Sequence, residues 1–383
     1  MSEVAAAPAG PRKITSPEVV CVGAGIMGTA LAFVLARRGA RVVVLERSVP
    51  GAEASSAAAG MLGAQVESHA PGAFTSLCIA SRARFGEWAT ALSRATGIDV
   101  EHRVSGILRA AFDGDDAHSV ETHAAWQRDA GLAVEIVSAV RAKEIEPSLA
   151  DGVKLGAYFP EDGRVDPPRL LSALRIAAER AGAEFRSGAL VKRIAVEGGR
   201  AVGVDLESGD RIEAPDVVVA AGSWSTLVGG TPLAAGQVQP ARGQIVELAT
   251  PSPITRGVVF GKRAYLSPRD DGRVLVGSTL EFVGYRRGVT AGGVRDLLSG
   301  AIDLVPALAN ADLLRTWSSF RPYTKNGLPI IGASSTPHLW LATGHFRNGI
   351  LLAPITAEIV AARIAGETPP FDPTPFEMGA SSP

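Results

Sequence analysis

Only two cysteines occur in the 383 residues, Cys21 and Cys78. Two cannot build a disulfide framework, and no Cys/His spacing fits zinc, so no metal site is expected. Cys21 falls within VVCVG and reads as a buried strand residue rather than a nucleophile. Cys78 has no flanking charge to stabilise a thiolate. An excess of charge of one sign is also missing: 38 basic residues stand against 39 acidic ones, a net charge of -1. No overall field is left to hold a polyanion or an anionic membrane, which argues against nucleic acid as a partner. The start lacks an apolar run of signal-peptide length, and the longest late apolar stretch is interrupted by Pro354, Glu358 and Arg363. Neither export nor membrane spanning is indicated, and a cytoplasmic protein is expected.

What is present is a composition 46% hydrophobic and 20% charged, which suits a globular protein with a sizeable core and room for two domains. Residues 1–16 and 369–383 are rich in Pro, Ala and Ser without periodicity and are expected to be disordered tails. VVCV at 19–22, a glycine turn, the helical TALAFVLARRG and the strand ARVVVLE form a βαβ unit. Its apolar strands suit a parallel sheet covered on both faces. A helix is predicted over 166–182, a small meander from ALVKRIAVE to APDVVVAAG, and a hairpin around Asp271-Gly272. No internal repeat is found. The order is α/β, then β-rich insertions, then strand and helix. It predicts a discontinuous Rossmann-like nucleotide-binding domain (17–99, 163–236, 316–368) and a second, β-rich α+β domain (100–162, 237–315), with the active site between them.

Gly23-Ala24-Gly25-Ile26-Met27-Gly28 follows a strand and opens a helix. Gly23 allows the tight turn, Gly25 lets backbone approach a pyrophosphate, and Gly28 permits close packing of helix on strand, while the helix start offers free N–H groups. Glu46, ending the second strand, is placed to accept hydrogen bonds from a ribose diol and would repel a 2′-phosphate. This motif leaves NAD and FAD both open. Two runs of small residues, Ser55 to Gly63 and Ala220-Ala221-Gly222-Ser223-Trp224, either let backbone pass close to a flat ring or pack tightly on a neighbour. GHFRNGILLAP, 344–354, sets His345, Arg347 and Asn348 directly before an apolar helix, more polar chemistry than a cap requires.

Three segments, GAGIMG with Glu46, SSAAAGMLGA at 55–64 and GHFRNGILLAP, together resemble the D-amino-acid oxidase superfamily of flavoproteins, most closely the glycine oxidases of the thiamine-biosynthesis type. The likeness runs from about Val19 to Gly366. It implies noncovalent FAD, because the residues before Tyr323-Thr324 are Phe320, Arg321 and Pro322 where relatives with attached flavin carry a cysteine. The implied cofactor contacts are Gly23, Gly25, Ile26, Met27, Gly28, Glu46, Arg47, Ser55, Ser56, Ala59, Gly60, Met61, Val191, Ala221, Gly222 and Trp224. In the late segment they are Gly344, His345, Arg347, Asn348, Gly349, Ile350 and Leu351, the amides of the helix start facing the ring edge that becomes negative on reduction. Pro354 is tolerated there if it falls in or just before the first turn.

The resemblance further implies that Arg321 binds the substrate carboxylate through its two parallel donors. Tyr265 closes the pocket and adds a hydroxyl. Arg347 either touches substrate or organises loops, and Glu281 either approaches the pocket or is a solvated loop residue. The implied reaction is oxidative deamination of a small amino acid, glycine first, with sarcosine or D-alanine as others. Hydride passes to flavin N5, dioxygen is reduced to hydrogen peroxide, and the imine yields glyoxylate or feeds thiazole formation. No catalytic side-chain base is identified. A homo-oligomer, tetramer or dimer, is expected from the same likeness. The competing readings are a flavin dehydrogenase with another electron acceptor, an NAD-binding reductase, and a noncatalytic FAD-binding assembly subunit.

Overall fold

A computed structural model describes residues 13–380. VVCV and VVVLE, with no polar residue before their last position, are buried through their length and form the middle of a six-stranded sheet. The order across it is Ile330–Ala333, Leu339–Thr343, Asp216–Val219, Val19–Val22, Val42–Glu46, Glu184–Ser187. Neighbours run parallel except the first pair. One face is covered by the helices Ile26–Arg37, Pro167–Arg180 and Gly349–Ile364, whose aliphatic side chains share one core. The other face carries the three-stranded meander Val191–Glu197, Arg200–Leu206, Arg211–Glu213. The chain leaves Val19–Val22 towards one side of the sheet and returns on its other side at Asp216–Val219. Such a switch point opens a crevice beyond the carboxyl ends of the strands, where α/β sheets bind ligands.

The second unit is an eight-stranded sheet: Asp312–Tyr323, Gln239–Ala249, Arg273–Gly277, Tyr265–Pro268, Val258–Phe260, Ile107–Ala111, Leu155–Phe159, Glu135–Ser138. Every pair is antiparallel except Val258–Phe260 with Ile107–Ala111. The helices Gly114–Asp129 and Ala291–Leu304 pack against it. Among the described residues no helix is long and apolar enough to cross a membrane.

Three expectations are corrected. The boundary at 316 cuts a single strand, because Asp312–Tyr323 pairs with Gln239–Ala249 from Asp312↔Ala249 to Tyr323↔Gln239. The tail expected over 369–383 is structured over 369–380: Phe376 is 2% exposed in the main core, and Arg363 donates to Glu377 at 2.7 Å. Proline-rich composition hid two phenylalanines that anchor the segment, Phe371 and Phe376, whose rings lie 6.4 Å apart. At the other end, residues 1–12 lie outside the described residues, as do 381–383. Ile14, within the expected tail, accepts from Arg186 at 2.7 Å and donates to Glu184 at 2.5 Å.

Pro354 lies in the second turn of the helix Gly349–Ile364, one turn later than expected. There it removes an N–H that would have had an intrahelical acceptor. Ser81, fully buried on the helix Ala73–Arg82, reaches into the ladder at this point. Its hydroxyl donates to the Leu351 carbonyl at 2.6 Å and accepts from the Ile355 N–H at 3.4 Å. Ser81 thus bridges the pair next to the one that Pro354 interrupts, whose acceptor would be the Ile350 carbonyl. Ser81→Ala leaves both groups without that partner and is expected to destabilise the fold by about 1–3 kcal/mol, read as a lowered urea midpoint; a midpoint equal to wild type would show the bridge to be idle.

Candidate active site

The carboxyl ends of Val19–Val22 and its neighbours open onto a cavity of about 520 Å³ whose far wall is the eight-stranded sheet. The size falls in the range of roughly 300–1,000 Å³ typical of small-molecule sites. All the expected residues line it except Gly28, Ser56, Gly344, Asn348 and Leu351.

At the glycine turn, Gly23 has φ +102°, and a Cβ there would stand 2.8 Å from the Ala220 carbonyl oxygen. Gly28 acts as the helix-packing glycine: a Cβ would meet the Gly23 carbonyl oxygen at 2.0 Å. The helix Ile26–Arg37 begins with no side-chain cap from its own N-cap residue, Gly25. Its first amide, Ile26, instead donates to Ser55 Oγ at 2.8 Å, so among the described residues the amides of Gly25, Met27 and Gly28 are left without an acceptor. Glu46 accepts from the Ala24 amide at 3.0 Å and the Ser48 amide at 3.0 Å, one on each oxygen. A carboxylate has about four acceptor positions, so two remain for a diol. Beside it Arg47 stacks on Trp224, 4.0 Å from the ring, and pairs at 2.8 Å with Glu53, which also takes Arg287 at 2.5 Å.

The small-residue run serves two purposes. Gly60 lines the cavity, and its backbone also packs so closely on the chain entering Pro167–Arg180 that a Cβ would sit 2.1 Å from the Val165 carbonyl. The Ala57 carbonyl accepts from Trp317 at 3.0 Å, and the Ala59 carbonyl from Ser267 at 3.0 Å and buried Arg269 at 2.9 Å. The eight-stranded sheet thereby fixes the loop. Ser56 faces away and holds the turn through its amide to the Gly51 carbonyl at 3.3 Å.

In the late segment, Gly344 takes φ +76° and Phe346 φ +44°, the latter a strained value for a residue with a side chain. The Phe346 amide donates to the Pro322 carbonyl at 2.9 Å, tying the segment to the strand that carries Arg321. His345 is buried on the cavity wall and hydrogen-bonds Thr356 at 3.1 Å. Burial pushes its pKa down to about 3, so the ring is neutral at physiological pH. Asn348 provides no side-chain cap for the helix Gly349–Ile364, whose first residues, Gly349 and Ile350, face the cavity. Leu351 is turned into the core, 1% exposed.

Arg321 and Tyr265 come together on the far wall. Arg321 donates to Ser278 Oγ at 2.5 Å and to the Thr279 carbonyl at 3.2 Å, and no carboxylate pairs with it among the described residues. Burial lowers its pKa, which the nearby Tyr265 and Glu67 oppose. Two strand glycines make the room: a Cβ on Gly243 would lie 2.1 Å from Arg321 Nη1, and one on Gly277 would lie 2.2 Å from the Tyr265 hydroxyl. Neither glycine was singled out in the sequence, although a lone glycine inside a strand is a signal of close approach. Ser278, Glu53 and Glu67 were also missed; Glu67 stands just past the SSAAAGMLGA run.

Glu281 does not line the cavity; its carboxylate, about a quarter exposed, is held in an ion pair. Burial opposes its ionisation, but Arg242 at 2.5 Å, Gln244 at 2.7 Å and Thr279 at 2.7 Å hold its carboxyl down at about 2. Tyr323 does not narrow the pocket either; it is wedged edge-on between Phe282 and Phe346, 5.0 and 5.1 Å away.

The wall fits a dinucleotide bearing a flat ring system. It has a glycine cradle with no space for a Cβ, two helix starts with unengaged amides for anionic groups, and spare carboxylate acceptors at the end of the second strand. Both cysteines are buried, at 0% and 2% exposure, away from this wall.

Comparison with known proteins agrees. The family model for DAO, FAD dependent oxidoreductase, matches residues 18–363. The chain is 36% identical to a glycine oxidase of Geobacillus kaustophilus, over 94% of this chain and 96% of that protein. The crystal structure of glycine oxidase from Geobacillus kaustophilus superposes with a TM-score of 0.90 at 35% identity, covering 97% of this chain and all of that one. A bifunctional ThiO/ThiG protein of Nostoc sp. is 37% identical over 90% of this chain, which spans only 52% of that longer relative. The chain belongs to the DAO family of FAD-dependent oxidoreductases, and the nucleotide for which this wall is shaped is FAD.

Proposed function

We propose that the protein oxidatively deaminates glycine and other small amino acids, such as sarcosine or D-alanine, with dioxygen as final acceptor. The products are an imine, which hydrolyses to glyoxylate and ammonia or feeds thiazole synthesis, and hydrogen peroxide. The observation that carries this reading is Arg321: a half-buried guanidinium facing the cavity, anchored by a hydroxyl and a carbonyl but, among the described residues, by no acid. Its charge is left for an incoming carboxylate. The similarity to glycine oxidases over nearly the whole chain supports a small amino acid as the owner of that carboxylate.

Bound FAD supplies the two-electron acceptor. The chain's own residues bind and orient. Arg321 and Tyr265 fix the carboxylate, so the Cα–H is held in one direction towards the wall lined by Met61, His345 and Ile350. His345, neutral, adds no charge there. The uncapped start of Gly349–Ile364 turns its positive end to the cavity, favouring negative charge that develops on this side. Arg347, exposed at the cavity rim with its guanidinium 5.1 Å from the Phe346 ring, orders the mouth. A homo-oligomer in the cytoplasm is part of the same proposal, by likeness to the family.

Arg321→Ala is expected to lower kcat/KM for glycine by about 10²–10³-fold, because a paired charge is lost in a buried site. Arg321→Lys, which keeps charge without the fork, should recover only part of it. A peroxide-coupled assay checks both, and unchanged kinetics in Arg321→Ala would remove this residue from the pocket. Tyr265→Phe should cost about tenfold in kcat/KM through one lost hydroxyl. Gly277→Ala, which thrusts a methyl group into the tyrosine's place, should cost at least as much; wild-type turnover in Gly277→Ala would mean that the Tyr265 position is not used.

A further inference from the structure

Arg321 and Tyr265 account for the acid end of an amino acid. Nothing so far meets its amino end. Three carboxylates line the cavity: Glu46, Glu53 and Glu67. Glu46 is engaged by two backbone amides and Glu53 by two arginines. Glu67 is different: its half-buried carboxylate has no hydrogen-bond or ion-pair partner among the described residues. Burial raises its pKa; the charges of Arg347 and Arg321 oppose that rise, and that of Asp162 adds to it. It lines the same cavity as Arg321, Tyr265 and Arg347.

The backbone presenting Glu67 is built with care. Buried Asp162 accepts from the Gln65 amide at 3.1 Å and the Val66 amide at 2.9 Å, and Arg82 holds that carboxylate at 2.6 Å. Gln65 is fixed by Gln127 at 3.1 Å and by the Ala133 carbonyl at 3.0 Å. The Ser68 carbonyl is bound by His123 at 2.6 Å. Gly63 allows the turn to close, since a Cβ there would meet Val66 Cγ1 at 2.7 Å. A rigid turn thus presents a half-buried acid to the cavity without giving it a cation among the described residues. An unpaired carboxylate in such a place is unfavourable until a positive group arrives.

We propose that Glu67 is the subsite for the substrate's ammonium group, opposite the Arg321–Tyr265 clamp for its carboxylate. The pocket is then a dipole matched to a zwitterion, and it selects amino acids over carboxylates that lack an amine. The inference rests on the reading of this cavity as an amino-acid site. It adds to that reading the part of the substrate that Arg321 cannot recognise.

The test compares the FAD-loaded wild type with Glu67→Gln and Glu67→Asp, using glycine and acetate as probes. Glycine is followed by its KM in the peroxide assay. Acetate, a carboxylate without an amine, is followed by its Kd from the perturbation of flavin absorbance, a readout that needs no turnover. FAD content and melting temperature check that the variants are folded. The expected result is that Glu67→Gln raises the KM for glycine about tenfold or more while acetate binds as tightly or more tightly, and that Glu67→Asp retains part of the glycine affinity. Equal weakening of both ligands would make Glu67 a purely structural residue and overturn the proposal. An unchanged KM for glycine in Glu67→Gln would overturn it as well. Failure of the underlying reading is seen separately, in the wild type, which would then neither oxidise glycine nor respond to acetate.

Discussion

The organising constraint in this molecule is a guanidinium, Arg321, withdrawn halfway from water into a cavity without an acid beside it among the described residues. Removing a charged group from water is costly unless something compensates, and in most interiors the compensation is a carboxylate on the same chain. Other arginines here follow that rule: Arg269 has Asp166 at 3.1 Å and Arg164 has Glu101 at 2.9 Å. Arg321 has only a hydroxyl and a carbonyl. The rest of the far wall is arranged to keep it so. Gly243 yields its side-chain volume to the guanidinium, Gly277 yields its own to Tyr265, and the Phe346 amide ties the opposite wall to the same strand. A charge left with no acid among the described residues is what the proposed carboxylate site requires.

The two sheets divide the work by their geometry. The parallel sheet has a switch point at Val19–Val22, which places two helix starts and a strand-end carboxylate around one crevice. That arrangement suits a long, anionic, partly flat cofactor. The eight-stranded sheet contributes a broad wall on which alternate residues of adjacent strands face the crevice, and it carries the groups proposed to select substrate, Arg321 and Tyr265. The loop from Ser55 to Gly63 lies between them and is pinned by hydrogen bonds from Trp317, Ser267 and Arg269 to its carbonyls. Recognition of cofactor and recognition of substrate are therefore mechanically joined through a backbone that has little freedom.

Much of this was legible because local chemistry and global fold agree. The glycine turn sits between a strand with no polar residue and a helix, and two of its glycines, Gly23 and Gly28, occupy positions where a Cβ has no space. The polar cluster before the last helix indicated a site rather than a cap, and Asn348 indeed makes no cap. Other features were hidden because they depend on partners remote in sequence. Nothing near Ser81 announces that it will bridge the helix beside Pro354, 273 positions later. Glu281 read as a surface glutamate because its partners, Arg242 and Gln244, come from another strand. The tail beyond residue 369 read as disordered because proline content outweighed two phenylalanines whose value lies in the core they reach. Ser56 and Asn348 were expected at the cofactor from the family resemblance of their segments, and a segment's likeness does not say which way each side chain turns; neither lines the cavity.

The most direct test of the unpaired guanidinium is an anaerobic titration of the FAD-loaded protein with glycine and, in parallel, with methylamine, which is the same amine without the acid group. The account predicts that glycine bleaches the flavin absorbance at concentrations where methylamine leaves it unchanged. Equal bleaching by both amines would mean that no carboxylate is needed to place the substrate, and that Arg321 is withdrawn into the cavity for some other reason.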